Sequence, residues 1–560
     1  MNIVENIKLS LISKIIESAE KAKLAEQINF DTLPDILIEV PREKVHGDFA
    51  TNLAMQLSKQ ARKNPREIAQ ILVDHFDFDQ SPISKVEIAG PGFLNFHLSK
   101  DWVYDVMPII YDMGDIYGQS DIGKGQKIQV EFVSANPTGL LHMGNARGAA
   151  LGDSIASLLQ ATGFDVTREF YINDSGNQIE NFAKSLEARY FQAFGRDVEM
   201  PEDGYQGKDL IDTINSFIAL HGEKYLSAEE NERRAVLIDF GLNEKLGLIK
   251  QALADFGVNY DVWYSEKDLH QSGKVQAVIK ELQEKGFIYE NEGALWFKST
   301  QFGDEKDEVV VRKNGIPTYF AADIAYHKDK FQRGFNKVIN IWGADHHGHV
   351  SRMKGSMAAV GYNPDALEII LMQLVRLFKD GEILRMSKRT GQYVTLNELM
   401  EEVGKDAARY FFVMRSADSH LEFDLDLAKS QSQDNPVFYV QYAHARICSI
   451  LTQAKEMGYE VPDVSKINFK ILNTEPELDF IRKLADYPGE VAAAALVMEH
   501  HRMTRFAHEL AGLFHSFYGN CRVLTDDEDV RCARLALISA GRQVLRNVLS
   551  LIGVSAPERM

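Results

Sequence analysis

The order of elements between residues 128 and 172 constrains the fold most. The run IQVEFV (128–133) is typical of a buried strand, NARGAALGDSIASLLQATG (145–163) of a helix, and FDVTREFYI (164–172) of a second strand. Strand, helix and strand in this order form the βαβ unit of a parallel sheet. The helix begins at the loop after the first strand, where its free N–H groups and partial positive charge suit a phosphate.

Composition narrows the class of protein further. The 560 residues predict roughly three or four domains, and 45% hydrophobic with 26% charged residues is typical of a globular protein. The net charge of −19 excludes nucleic-acid binding through bulk positive charge, but it leaves room for a local basic groove. No apolar run reaches the roughly 18 residues of a membrane span, and the three cysteines form no CxxC pair. These features predict a cytoplasmic enzyme without a disulfide framework.

The chain changes pattern along its length, which predicts a multidomain α/β protein. The predicted segments are 1–118 (a small α+β domain), 119–375 (a parallel α/β domain with a helical insertion at about 175–260), 376–434 (a loop-rich connection) and 435–560 (an all-helical domain). In the first segment one helix face is predicted to carry Leu11, Ile12, Ile15 and Ile16. In the second, further strand-like segments are ALWFKST, EVVVRK, PTYFAADIAYH and KVINIWGAD.

The loop of the βαβ unit, SANPTGLLHMGN, carries residues suited to a nucleotide. His142 and Asn145 are three residues apart and can face one phosphate. Gly144 allows a base or a ribose to approach the backbone. Taken alone, the same letters fit a tight turn with a buried histidine equally well.

A second segment, about 240 residues later, reads Arg385-Met386-Ser387-Lys388-Arg389-Thr390-Gly391. A loop with three cations can close over a triphosphate and neutralise the charge that develops as pyrophosphate leaves. An isolated basic loop is more often a solvated surface loop. The occurrence of both segments, in this order, favours the nucleotide-binding interpretation.

HMGN resembles the HIGH signature of class I aminoacyl-tRNA synthetases, and RMSKR resembles their KMSKS signature. Longer strings resemble arginyl-tRNA synthetases in particular and span nearly the whole chain: PREKVHGDFATNLA, AGPGFLNFHLS, VEFVSANPTGLLHMGNARGAALGD, PTYFAADIAYHKDKF, NIWGADHHGHVSRMKG and DAARYFFVMRSADSHLEFDLDLAKSQSQDNPVFYVQYAHARI. Two positions depart from the signatures. Asn145 replaces the last histidine of HIGH, and an amide cannot become an imidazolium. Arg385 replaces the first lysine of KMSKS and keeps its charge.

The resemblance implies a Rossmann-type nucleotide-binding core, an N-terminal α+β domain and a helical C-terminal anticodon-binding domain. It implies that ATP, with Mg²⁺, activates L-arginine, which then passes to the 3′-terminal ribose of tRNA(Arg). The HIGH-like segment comprises Ala135, Asn136, Pro137, Thr138, Gly139, Leu140, Leu141, His142, Met143, Gly144 and Asn145. The implied catalytic residues are His142, Asn145 and Lys388. The implied ATP-binding residues are His142, Gly144, Asn145, His346, Arg385, Met386, Ser387, Lys388 and Arg389.

Arginine recognition has its own chemical requirement. A guanidinium is a planar fork that carboxylates meet bidentately, so its pocket needs acidic residues. By resemblance the arginine-binding residues are Glu131, Asn136, Glu266, Tyr319, Asp323 and His346. Glu266, Tyr319 and Asp323 would line the guanidinium pocket, and Asn136 would hold the α-amino group with Glu131 nearby. Without the resemblance, each carboxylate fits a surface residue or a helix cap.

The string Asp345-His346-His347-Gly348-His349 invites a metal site, because three histidines and an aspartate lie within five residues. Adjacent histidines at a strand end point in opposite directions, and one pentapeptide is too short to close a tetrahedral site. We therefore predict no metal site here. The resemblance places this string beside the ATP and arginine site.

The resemblance also implies contacts with tRNA in two domains. The cations from residue 501 onward are eight arginines and no lysine, which suits phosphate recognition. The candidate tRNA-binding residues are Lys44, Arg62, Tyr439, Tyr442, His444 and Arg446. We expect a monomer that does not contact a membrane. Two alternatives are another class I synthetase and a non-catalytic tRNA-binding protein derived from a synthetase.

Overall fold

The computed structural model describes residues 2–41, 43–79, 81–384 and 394–560. Within these ranges no helix is long and apolar enough to cross a membrane. The chain combines a small N-terminal α+β unit, a parallel α/β unit and a helical C-terminal unit, in agreement with the predicted fold class.

The N-terminal unit packs helices against a three-stranded antiparallel sheet of order β1-β3-β2. Its elements and the helix that follows it are α1 (Ile3–Leu24), β1 (Phe49–Thr51), α2 (Leu53–Ala61), α3 (Pro65–Asp74), β2 (Ile83–Ala89), β3 (Phe93–Leu98) and α4 (Val106–Met113). The buried face of α1 runs through Leu11, Ile15 and Ala19. Ile16 was predicted on this face but is 40% exposed. The buried residues recur every four positions from Leu11, and Ile16 is one residue, about 100° around the helix, beyond Ile15.

The central unit is built on a five-stranded parallel sheet of order β11-β10-β4-β5-β6. Its elements are β4 (Lys127–Glu131), α5 (Met143–Ala161), β5 (Asp165–Ile172), α6 (Asn177–Ala193), α7 (Lys208–His221), α8 (Glu230–Asp255), β6 (Val262–Ser265), α9 (Glu266–Gln271), α10 (Lys274–Glu284), β7 (Ile288–Asn291), β8 (Ala294–Phe297), β9 (Glu308–Val311), α11 (Tyr319–Gln332), β10 (Lys337–Gly343), α12 (Val350–Val360) and β11 (Leu367–Met372). The predicted βαβ unit is confirmed as β4, α5 and β5. The predicted helical insertion is α6 to α8.

The segment PTYFAADIAYH was predicted as a strand, and this prediction is wrong. It begins helix α11, which Thr318 caps by accepting a hydrogen bond from the N–H of Ala321 at 3.4 Å. Its aromatic and β-branched letters resemble a strand, but burial follows helical spacing, with Phe320 and Ile324 on the core side.

The remaining elements connect the parallel sheet to a helical C-terminal unit. They are β12 (Val375–Lys379), β13 (Glu382–Leu384), α13 (Leu396–Val403), α14 (Lys405–Val413), β14 (Leu421–Asp424), α15 (Leu425–Lys429), α16 (Pro436–Glu456), α17 (Glu475–Val497), α18 (His501–Asn520) and α19 (Glu528–Leu551). The stretch predicted as loop-rich thus contains a small sheet of order β13-β12-β14. The prediction of an all-helical C-terminal region is confirmed.

Helix α5 is held firmly in the middle of the molecule. A Cβ on Gly152 would lie 2.1 Å from the ring of Phe132, so only glycine lets α5 approach the chain that leaves β4. The buried guanidinium of Arg147 donates to the carbonyl oxygens of Gln373 at 2.7 Å and Ser416 at 2.9 Å, and burial lowers its pKa to about 10. These contacts fix the start of α5 relative to the segments on both sides of residues 385–393.

Candidate active site

Several segments leave the same edge of the parallel sheet, the edge formed by the carboxyl ends of its strands. They are the loop after β4, the turn after β5, the start of α9 after β6, and a 3₁₀ helix after β10 (Ala344–His349). The N-terminus of α11 joins them. Side chains at this edge of an open α/β sheet are positioned to bind ligands, as the order of strands reverses between β4 and β10.

The HMGN segment forms the first turn of α5. His142 is the N-cap, and its Nδ1 accepts a hydrogen bond from the N–H of Gly144 at 3.1 Å. Oδ1 of Asn145 accepts one from the N–H of His142 at 3.1 Å, which completes a reciprocal cap. An amide performs this capping without a charge. The departure from HIGH at Asn145 therefore keeps the turn intact.

The segment RMSKR, with Arg385, Met386, Ser387, Lys388 and Arg389, lies outside the described residues. The chain that follows it contacts the HMGN turn directly. The N–H of Met143 donates to the carbonyl oxygen of Val394 at 3.2 Å, and the N–H of Leu396 donates to that of Leu141 at 2.9 Å. The C-terminal flank of RMSKR is thus hydrogen-bonded to the beginning of α5.

Glu266 is the most perturbed carboxylic acid of the site. It is the first residue of α9 and is 3% exposed. Burial raises the pKa of Glu266 to about 7, against a hydrogen bond from Tyr171 that lowers it, and the negative charges of Asp323 and Asp174 raise it further. Oxygens of Asp174 accept from the hydroxyl of Ser265 at 2.7 Å and fix the strand-to-helix turn. The electrostatics of this cluster favour a cation.

Asp323 and Tyr319 lie at the beginning of α11. Oδ2 of Asp323 accepts a hydrogen bond from Nε2 of His349 at 3.0 Å. The ring of His349 packs against Phe320 and Trp342, with ring centroids 5.7 and 5.6 Å apart. Tyr319 is 47% exposed, and a Cβ on Gly176 would lie 2.8 Å from its hydroxyl. The turn after β5 and the start of α11 are therefore adjacent.

The structure brings some of the predicted arginine-binding residues together and gives the others different partners. Glu266 and Asp323 share one acidic cluster. Asn136 donates to the side chain of Gln178 on α6. Glu131 is buried at the end of β4, where both of its oxygens already accept hydrogen bonds, from Ser134 and Lys330. These contacts make Glu131 a part of the wall beneath the site.

His346 is an exposed member of the predicted set. It lies in the 3₁₀ helix after β10, its side chain is 58% exposed, and its ring centroid is 5.9 Å from that of Trp342. The string follows the end of β10, as expected, and there it forms a 3₁₀ helix that spaces the histidines around an axis. Across the described ranges, no group of three or more His, Cys, Asp or Glu side chains has the geometry to hold a metal ion.

The candidate tRNA-binding residues of the C-terminal unit mostly share one face of α16. Tyr439 packs against His508 and His515 of α18, with ring centroids 4.8 and 5.0 Å apart. Tyr442 is exposed, and Arg446 donates to the hydroxyl of Tyr518 at 3.2 Å. Positions 439, 442 and 446 follow the helical repeat, so their side chains line up.

His444 does not belong to this face. It is 2% exposed, and its Nδ1 donates to the carbonyl oxygen of Pro557 at 2.8 Å. Five residues after Tyr439, it points about 140° away around the helix. In the N-terminal unit, Arg62 is exposed at the end of α2, and Lys44 lies in a short 3₁₀ helix.

Two residues of the site were missed by sequence reasoning. His349 contacts Asp323, although His346 was the histidine singled out. Tyr171 hydrogen-bonds to Glu266, and burial beside Glu266, Asp323 and Glu131 raises its pKa. The only sequence signal for His349 is its place as the third histidine of the string. Tyr171 lies in a strand, where an aromatic residue needs no functional explanation.

Comparison with known proteins identifies the family. Three family models match successive parts of the chain: an arginyl tRNA synthetase N terminal domain (9–98), a class I tRNA synthetase (R) catalytic domain (109–415) and a DALR anticodon binding domain (440–560). The catalytic-domain model alone covers more than half of the chain.

Individual relatives match over the full length. An arginine–tRNA ligase of Moorella thermoacetica is 63% identical over 100% of both chains, and one of Desulforamulus reducens is 62% identical over 100% of both. The solved arginyl-tRNA synthetase of Thermus thermophilus has the same fold, with a TM-score of 0.74 and 22% identity over 98% of this chain and 99% of that one. The chain therefore belongs to the arginyl-tRNA synthetase family.

Proposed function

We propose that this protein is an arginine–tRNA ligase, which forms arginyl-adenylate from L-arginine and ATP and then transfers arginine to the 3′-terminal ribose of tRNA(Arg). The full-length identity of 63% to an arginine–tRNA ligase carries this proposal. The acidic cluster of Glu266 and Asp323, at the same edge of the parallel sheet as the capped HMGN turn, supports it. We also propose that the protein works as a monomer in the cytoplasm.

ATP binds at the beginning of α5. His142 and the backbone of Gly144 face its phosphates, where the N-terminus of α5 supplies a partial positive charge. Asn145 uses its carbonyl oxygen in the cap and offers its amide N–H groups to a phosphate oxygen. Lys388, with Arg385 and Arg389, neutralises the charge of the leaving pyrophosphate, and Met386, Ser387 and His346 complete the contacts with ATP.

The guanidinium of arginine enters the acidic cluster. Glu266 and Asp323 meet the planar fork, while His349 keeps the carboxylate of Asp323 oriented. Tyr319 covers the guanidinium with its ring. Asn136 holds the α-amino group, which directs the arginine carboxylate toward the α-phosphate. Glu131 stays paired beneath the site.

Catalysis of the first step then consists mostly of positioning and electrostatics. The carboxylate of arginine attacks the α-phosphate, an acyl-phosphate bond forms, and the bond to pyrophosphate breaks. A terminal ribose hydroxyl of the tRNA next attacks the carbonyl carbon and releases AMP. Mg²⁺ would enter with ATP and would neutralise part of the charge of its phosphates.

Competition between substrate analogues tests this pocket chemistry. Citrulline keeps the length and planar shape of arginine but carries no charge, and lysine keeps the charge but lacks the fork. We expect charging of tRNA with radiolabelled arginine to resist a hundredfold excess of either analogue, since sites built on buried polar groups reject unmatched ligands by about 10⁴-fold or more. Inhibition by citrulline equal to that by unlabelled arginine would refute the charged pocket.

Arginine binding should depend on pH through Glu266. The cation binds the ionised carboxylate, and burial raises the pKa of Glu266 to about 7 in the free protein. The KM for arginine should therefore be about tenfold higher at pH 6 than at pH 8. The other titratable groups around it are Tyr171, Asp174, the Asp323–His349 pair and His270 at 3.6 Å. A KM for arginine that is flat across this range would contradict the assignment.

Arg446→Gln should weaken tRNA binding without affecting arginine. Losing one phosphate contact should raise the KM for tRNA about fivefold and lower the slope of log Kd against log salt by about 0.7–0.9. Arg482→Gln is the matched control, because Glu475 and Asp479 already neutralise Arg482 on α17. Filter binding of tRNA at several salt concentrations measures both. If the two substitutions had equal effects, the proposal that the α16 face contacts tRNA would be wrong.

A further inference from the structure

Lys330 is a fully buried cation below the proposed active site. It lies on α11 with 0% exposure, and its Nζ donates to Oε2 of Glu131 at 2.5 Å and to Oδ1 of Asn340 at 2.9 Å. The same ammonium lies 4.3 Å from the ring centroid of Tyr326. A buried charge is stable only when it is paired in this way. Neither the predicted site nor the proposed mechanism uses Lys330.

The partners of Lys330 form one row across the parallel sheet. In the register of the strands, Asn340 of β10 stands beside Glu131 of β4, and Glu131 stands beside Glu169 of β5. Helix α11 covers this row with Lys330 and with its C-cap residue, Arg333. The guanidinium of Arg333 donates to both oxygens of Glu169, at 2.5 and 2.9 Å. Helix and sheet are thus joined by ion pairs, where most folds of this kind have apolar contacts.

On one side, this row is hydrogen-bonded to the beginning of the loop that leads to HMGN. The backbone leaves β4 through Val133 and Ser134, whose φ angles are +71° and +40°. A β-branched residue rarely adopts this left-handed conformation unless its surroundings impose it. Two hydrogen bonds of Ser134 Oγ hold the backbone in this conformation. Oγ donates to Oε1 of Glu131 at 2.8 Å and accepts from the N–H of Tyr171 at 3.1 Å. The loop therefore starts from the carboxylate that Lys330 holds.

On the other side, the same row reaches the guanidinium pocket. Nδ2 of Asn340 donates to Nε2 of His327 at 2.5 Å, and Nδ1 of His327 donates to the carbonyl oxygen of Asp323 at 2.8 Å. Burial lowers the pKa of His327, so its ring stays neutral and keeps this single tautomer. An unbroken chain of hydrogen bonds thus joins Ser134 to Asp323 through Lys330.

We propose that Lys330 is a positioning residue that sets the register between the HMGN loop and the arginine-binding start of α11. The two reactants of the first step are held by different elements, ATP by the start of α5 and arginine by α9 and α11. Lys330 touches neither reactant, but its contact with Glu131 joins the two elements. This inference rests on the proposed function and adds a residue that acts on the rate of adenylate formation.

The expected effect is on rate rather than on binding. Each half of the site keeps its own ligand contacts when Lys330 is lost, but the distance between the arginine carboxylate and the α-phosphate is no longer fixed. A misplacement of about 1 Å lowers a reaction rate about 100-fold. Lys330→Met should therefore lower kcat about 100-fold and leave the KM values for arginine and ATP within about threefold.

The test measures single-turnover charging of tRNA with arginine, normalised to the folded fraction from circular dichroism. Lys330→Arg keeps the ion pair with Glu131 and should recover the rate to within about fivefold. Lys328→Met is the matched control, since Lys328 lies on the same helix and pairs with Glu281 of α10 away from the site. This variant should charge tRNA at the wild-type rate. Where Lys330→Met does not fold, Lys330→Gln, which keeps a hydrogen-bond donor, takes its place.

Two results would overturn the proposal. The first is a Lys330→Met protein whose rate per folded molecule equals that of the wild type, which would make Lys330 a stabilising residue only. The second is a loss confined to the KM for arginine, which would make it a part of the binding pocket. Failure of the wild-type protein to charge arginine at all would refute the proposed function instead, so the two failures are distinguishable.

Discussion

Glu266→Gln should lower kcat/KM for arginine about 150- to 5,000-fold. The substitution keeps the size of the side chain but removes the charge that meets the guanidinium. Breaking one partner of a buried charge pair costs about 3–5 kcal/mol, and each 1.4 kcal/mol is tenfold. Glu266 is 3% exposed, so solvent does not screen this contact. The KM for ATP should stay unchanged, because ATP binds at the other end of the site.

The same substitution should stabilise the free protein at alkaline pH. Burial raises the pKa of Glu266 from 4.5 to about 7, so between these values the folded state holds a proton that the unfolded state releases. The free energy of unfolding therefore falls as pH rises through this window, by about 3 kcal/mol. Glutamine does not titrate and avoids this loss. Glu266→Gln should unfold at a higher temperature than the wild type at pH 8, and this pH-dependent difference should vanish below about pH 4.

Steady-state charging and thermal unfolding measure the two effects on the same preparation. Asp268→Asn on the same helix, α9, is the control that removes a carboxylate outside the acidic cluster. It should change kcat/KM for arginine less than twofold. A Glu266→Gln protein that charges arginine as well as Asp268→Asn does would show that Glu266 is a buried structural acid and not the guanidinium partner.

Lys388→Ala should lower kcat for arginine activation about 10²- to 10³-fold and leave the KM for arginine within about threefold. In the proposed mechanism the lysine acts on charge that develops only as pyrophosphate leaves, so its loss should affect the transition state and not the ground state. Although Lys388 lies outside the described residues, Val394 and Leu396 hydrogen-bond to the HMGN turn shortly after it. These hydrogen bonds bring the C-terminal flank of RMSKR to the proposed ATP site.

Lys379→Ala provides the comparison for Lys388. Lys379 lies at the end of β12, before RMSKR, and Glu402 pairs with it at 3.0 Å. Lys379→Ala removes one positive charge near RMSKR but leaves the charges of RMSKR itself unchanged. Rapid-quench measurement of adenylate formation separates the chemical step from product release. Equal rates for the two variants, or a Lys388→Ala defect found only in the KM for arginine, would refute the assigned role.

The sequence was most informative where a local pattern decides the structure. The βαβ unit around HMGN follows from periodicity and from a turn that joins a strand to a helix, so β4, α5 and β5 were predictable. Helix α11 was not, because Tyr319, Phe320 and Ile324 have the letters of a strand. Phe320 and Ile324 are buried four residues apart, which is helical spacing, while Tyr319 is exposed, and this burial depends on the packed sheet.

For the candidate site, the sequence and the resemblance named residues but not the contacts between them. The resemblance named Glu266 and Asp323, and the structure places both in one acidic cluster. It gave no sign that His349 orients Asp323 from 26 residues away, or that Lys330 pairs with Glu131 from 199 residues away. Such pairs are set by tertiary packing. His444 was predicted to contact tRNA because histidine is a residue type that suits RNA binding. Its position on α16 instead buries its side chain.

Charging of unfractionated tRNA tests the central claim most directly. The purified protein is incubated with ATP, Mg²⁺ and each labelled amino acid in turn, and acid-precipitable label is counted. The proposed function predicts that arginine alone becomes attached to tRNA. Attachment of a different amino acid would contradict the pocket of Glu266 and Asp323, and tRNA binding without any charging would contradict catalysis by a site that carries Asn145 in place of histidine.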